Sequence, residues 1–88
     1  MVIDTPPTVS DRDRKRMVRL LAELGVGYGP GRTLPHRHLA EELGVSRFHW
    51  SKIANARLPA YGQDANNRWP TWASFEQDVR AAVERLRA

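Results

Sequence analysis

Residues 39–57 read LAEELGVSRFHWSKIANAR, and this stretch decides the fold. Leu39, Ala40 and Leu43 share one face of a helix by their spacing, and Pro35 suits its first turn. Gly44 stops that helix, because the residue after a helix commonly takes a positive φ that glycine adopts without strain. Val45 follows as an apolar turn residue. Ser46 offers a side-chain oxygen to cap the free amides of a further helix running to about Ala56. In that helix Trp50 and Ile53, three apart, point the same way. Ala40 lies where two helices joined by so short a turn must cross, and only a small side chain lets them approach.

These requirements, met in this order, are those of a helix-turn-helix. A plain helical hairpin imitates part of the pattern, so the outer face of the second helix carries the functional expectation. At 100° per residue Phe48, Ser51, Lys52 and Asn55 cluster opposite Trp50 and Ile53, with Arg47 on the flank. The face offers cations, a hydroxyl and an amide, and no carboxylate to repel phosphate. It suits a helix lying in the major groove of duplex DNA. Ser46, Arg47, Phe48, Ser51, Lys52, Asn55 and Arg57 are the candidate contacts, with Lys52 placed at phosphate rather than at a base. Each also has a plain reading as a solvated side chain, and Phe48 as a packing residue.

Working outward, residues 1–9 with Pro6 and Pro7 read as a flexible lead, and 10–88 as one domain with its core unit at 34–86. Ser10 is a candidate N-cap, followed by Asp11 and Asp13 where the helix dipole favours negative charge. Met17, Leu20, Leu21 and Leu24 form an apolar stripe, with Arg12, Lys15, Arg16 and Arg19 opposite and Gly25 as a stop. Residues 25–33, GVGYGPGRT, form a connector. They lack the Gly-Lys-Ser/Thr ending and the preceding strand of a phosphate loop. Pro59 forbids further helix after Asn55–Ala56. Residues 57–71 read as a loop or short hairpin turning near Asn66–Asn67. A last helix starts at Thr71–Ser74, with Trp72, Phe75, Val79, Ala82, Val83 and Leu86 along it.

Composition narrows the class. Eighty-eight residues make one core. The net charge of +4 and the sequence pI near 10.3 favour a polyanionic partner. Residues 44–72 hold Arg47, Lys52, Arg57 and Arg68 against a single acid, Asp64. The absence of cysteine excludes disulfides and thiolate metal sites. His36 and His38 are two apart and His49 lies a helix away, which is not a zinc spacing. No nucleophile and base are set together, so no enzyme and no cofactor are expected. No apolar run reaches membrane length and no secretory leader is read, so a cytoplasmic location is expected.

Residues 34–86 resemble the winged helix-turn-helix domains of the excisionase and MerR-like class, common in phages and mobile elements. The matching pieces are LAEELGVSR, ARLPAY, NNRW and WASFEQDV. The resemblance implies that Arg47, Phe48, Ser51 and Lys52 face the major groove. It puts Asn67 and Arg68 on a wing reaching phosphate or the minor groove, with Trp69 anchoring that wing. The segment 60–69 is poor in strand-forming residues for a wing. A second resemblance, to Cro and phage repressors, rests on the preceding helix and on Asn55-Ala56-Arg57 before Pro59.

The expectation is therefore a mainly α fold of about four helices, a helix-turn-helix with a small wing. Trp50, Ile53, Trp69, Trp72, Phe75, Leu20, Leu21, Leu24, Leu39 and Leu43 are the expected core. The expected function is sequence-specific binding of double-stranded DNA, as a transcription regulator or an excisionase-type directionality factor, by a homodimer or cooperative array. No small-molecule ligand is expected. A helical protein–protein adaptor of the antitoxin or phage-inhibitor kind is the alternative.

Overall fold

A computed structural model describes residues 9–62 and 68–88. They form four helices and no sheet: α1 (Asp11–Leu24), α2 (His36–Leu43), α3 (Arg47–Ala54) and α4 (Trp72–Arg87). α4 packs against both α1 and α2, and α3 packs against α2.

Each helix begins at a residue able to stop the chain from starting earlier. Ser10 accepts the Asp13 amide at 3.1 Å, and Ser46 accepts the His49 amide at 3.1 Å. Pro35 precedes α2 in extended backbone, one position before the first helical turn. At α4, Thr71 and Ser74 act together: each side chain satisfies the other's backbone amide, at 3.2 Å in both directions. Such a cap is worth about 1 kcal/mol.

The tetrapeptide Glu-Leu-Gly-Val occurs at 23–26 and again at 42–45, and the fold uses it twice in the same way. Gly25 and Gly44 take φ of 71° and 74°, the left-handed conformation a side chain resists. The Val26 amide then reaches back to the Leu21 carbonyl at 2.9 Å, and the Val45 amide to Ala40 at 3.0 Å. Both exposed helix ends are met by distant arginines: Arg87 donates to the Leu24 carbonyl and Arg68 to that of Leu43. Both glutamates pair with α4, Glu23 with Arg80 and Glu42 with Arg85, each at 2.6 Å. The two copies part at the residue after valine. Ser46 restarts a helix at once, whereas Gly27 opens a loop.

Phe75 sits at the centre of the core. Trp50 stacks on it at 6.2 Å between ring centroids, Trp69 meets it edge-on at 5.0 Å, and Trp72 lies tilted at 5.3 Å. Leu39, Ala40 and Leu43 of α2, Leu20, Leu21 and Leu24 of α1, and Val79, Ala82 and Val83 of α4 fill the rest. The complete burial of Ala40 is consistent with the close crossing expected there. Of the expected core only Trp72 is partly exposed, one face covered by Arg16, whose guanidinium lies 5.7 Å from the ring centroid. Val26, Leu34 and Ala60 are buried in addition.

The glycine-rich connector is tied down. Val26 and Leu34 pair across it, the Gly27 amide donates to the Leu34 carbonyl at 2.8 Å, and the Leu34 amide donates to Gly25 at 3.0 Å. The segment expected to form a wing departs from that expectation. Among the described residues of 58–71 there is no strand, and a 2.8 Å hydrogen bond from the Gly62 amide to the Trp69 carbonyl closes the segment. Glycine, proline and polar residues leave it too few side chains to make a paired ladder worth forming. The turn expected at Asn66–Asn67, and residues 1–8 of the expected lead, lie outside the described residues.

Candidate nucleic-acid interface

α3 is fixed in rotation by its two buried side chains. Trp50 and Ile53 are fully enclosed, and the Trp50 indole N–H donates to Nδ1 of His36 at 3.0 Å. An imidazole that accepts at Nδ1 carries its proton on Nε2. That nitrogen faces the connector, 3.6 Å from where a Cβ on Gly27 would stand. Burial, and secondarily the Arg32 charge, hold His36 below the ordinary imidazole range, which favours this neutral form.

With the inward side so fixed, Ser46, Arg47, Phe48, Ser51, Lys52, Asn55 and Arg57 all reach solvent. Phe48 is 84% exposed, so the described core leaves its ring to solvent. Ser46 Oγ is engaged by its cap, leaving the hydroxyl proton and one lone pair to offer outward. Asn55 donates to Ser51 Oγ at 3.2 Å, so these two act as one polar unit. The backbone turns sharply after them: Ala56 takes φ of 58°, and the Arg57 amide returns to the Lys52 carbonyl at 2.8 Å.

The ion pairs explain why this face stays cationic. Among the described residues, five acids are engaged elsewhere, Asp13 by Arg16 and Tyr61, Glu23 and Glu76 by Arg80, Glu42 by Arg85, and Asp78 by the Trp69 indole, and Asp11, Glu41 and Glu84 belong to the other helices. No ion pair among the described residues involves α3. Arg47, Lys52 and Arg57 therefore keep their charge unneutralised within the described fold.

Two wing candidates fare differently. Asn67 lies outside the described residues. Arg68 donates to the Leu43 carbonyl at the end of α2, and its guanidinium lies 4.8 Å from the centroid of the Trp69 ring. It is thus occupied within the fold, and Trp69 is buried edge-on to Phe75.

The structure adds residues that spacing did not single out. A solvent-open groove of about 500 Å³ runs along the flank of α3, between Arg47, Ser51 and Asn55 on one side and Tyr28, His36 and Arg37 on the other. The available signal was Tyr28 itself, an aromatic residue in a run of glycines. Nothing in the sequence pairs His36 with Trp50. Among the described residues no three of His, Asp and Glu gather as a metal site, and no helix is long and apolar enough to cross a membrane.

No protein-family model, curated protein or solved structure matches this chain.

Proposed function

We propose that the chain binds double-stranded DNA through α3 placed in the major groove, reading sequence as a transcription regulator or as an excisionase-type factor in site-specific recombination. The observation that carries this reading is the outer face of α3 and the turn that follows it: Arg47, Lys52 and Arg57, an amide–hydroxyl pair and an exposed aromatic ring, with no acid there and no ion pair to it among the described residues. Donors of this kind match phosphate oxygens and the acceptor edges of guanine, and an apolar ring suits a thymine methyl. The short turn from α2 to α3 supports the helix-turn-helix part of the excisionase and MerR-like resemblance. A 10.0 kDa subunit covers few base pairs, so a homodimer or a cooperative array on repeated sites is the working assembly.

Selection of bound sequences from a random duplex pool tests the reading, followed by affinity measurements over a salt series. Contacts from Arg47, Lys52 and Arg57 correspond to a log–log slope of about −2.7. Arg47→Ala is expected to reduce preference for the selected site by about 1–3 kcal/mol if it contacts a base bidentately. No enrichment, or duplex retention with a slope near zero, would overturn the proposal. In that case Phe48 would point to the adaptor alternative, as an apolar contact for a protein partner.

A further inference from the structure

Tyr28 stands at the tip of the glycine-rich connector and is 79% exposed. Its ring is set against His36, 6.2 Å between centroids, and His36 is in turn bonded to Trp50. The connector beneath it is anchored by buried Val26 and Leu34, and Arg32 donates to the Val26 carbonyl at 3.3 Å. A large aromatic side chain is thus presented to solvent from a braced loop, while the core makes no use of it. Exposure of so much apolar surface gains nothing for folding.

The groove below Tyr28 is lined with donors. Arg37 of α2 and Arg47 of α3 bring two guanidinium groups, His36 brings Nε2–H, and the Ser51–Asn55 pair adds a hydroxyl and an amide. Its lining includes no carboxylate, and neither arginine has an ion-pair partner among the described residues. Such a set recognises an anion. Because the groove is open to solvent and continues into the outer face of α3, an extended anionic strand fits it better than a small enclosed ligand.

We propose that this groove seats the sugar–phosphate backbone of one strand of the duplex bound by α3. Arg37 meets phosphate oxygens from the wall opposite Arg47, and the Tyr28 ring lies against a deoxyribose. The connector thereby acts as a second docking element beside α3. The inference rests on the DNA-binding reading of α3.

The test uses the full chain, a short mixed-sequence duplex and a salt series, comparing wild type with Tyr28→Ala, Arg37→Ala and Lys52→Ala. Arg37→Ala is expected to flatten the log–log slope by about 0.9. Tyr28→Ala is expected to weaken binding about five- to tenfold at unchanged slope, as removal of a contributing interface residue does. Melting temperatures should stay at the wild-type value, because both side chains are exposed. If both variants bind like wild type while Lys52→Ala weakens, the groove proposal fails and the α3 reading stands. If wild type retains no duplex at low salt, both fail together. Losses accompanied by lowered melting temperatures also overturn the proposal, since Tyr28 would then be supporting the fold.

Discussion

Trp50 of α3 and His36, the first residue of α2, are joined by a 3.0 Å hydrogen bond in which only a neutral imidazole can accept. Burial, then Arg32, keep the folded-state pKa of His36 low. Just below the ordinary imidazole value of about 6.5, the unfolded chain therefore binds a proton that the folded chain refuses. Stability falls as pH drops through that window and levels off below the folded-state pKa. Denaturant midpoints measured across it should decline with pH in wild type and decline less in His36→Asn, which keeps an acceptor but cannot titrate. Parallel declines would show that His36 is not the group responsible.

Removal of Trp50 should be far more damaging. Trp50→Ala takes away the stack on Phe75 and leaves a cavity among fully buried neighbours, at about 3–5 kcal/mol. Against a typical total of about 5–15 kcal/mol, that loss brings the domain near unfolding. A variant that melts like the parent would mean that α3 is rotated from the orientation described, and its outward face would change with it.

Ala56 offers a gain instead. Its φ of 58° lies in the left-handed region, which costs a residue with a side chain about 1–2 kcal/mol. Glycine removes that cost and returns about 0.4–1 kcal/mol through its freedom in the unfolded chain. Ala56→Gly should therefore stabilise the protein by about 0.5–1 kcal/mol. Thermal or urea unfolding checks it, and destabilisation would show that the methyl group packs usefully in the turn.

Arg68 and Arg57 should separate in their effects. Arg68 serves the end of α2, so Arg68→Ala is expected to cost about 1 kcal/mol of stability and to change affinity for mixed-sequence duplex little. Arg57 is exposed and has no ion-pair partner among the described residues, so Arg57→Ala should leave stability within about 0.5 kcal/mol and weaken all duplexes alike. Fluorescence anisotropy beside calorimetry distinguishes the two. The reverse pattern would return Arg68 to the wing role that the sequence implied.

The elements legible in the sequence were those governed by local rules. Ser10, Ser46, Thr71, Gly25 and Gly44 mark helix ends because capping and positive φ depend on one residue and its neighbours. The orientation of α3 followed from the three-residue spacing of Trp50 and Ile53. What stayed hidden depends on meetings between distant residues. Val26 stands alone between glycines and Leu34 between Thr33 and Pro35, with no periodicity to announce burial. The acceptor for Arg68 is a backbone carbonyl, and carbonyls carry no mark in a sequence, so the residue alone points as readily to a phosphate. The use of Glu-Leu-Gly-Val twice was readable, but its meaning lies in arginines more than twenty residues away.

Those two arginine-held helix ends bear on the order in which the chain can mature during synthesis. α1, α2 and α3 emerge from the ribosome before either Leu24 or Leu43 has its partner, since Arg68 follows all three and Arg87 stands in the last turn of α4. Trp50, too, has no Phe75 to stack on until α4 is made. The nascent chain therefore carries α3 before the aromatic stack and the two carbonyl contacts that close the domain can form.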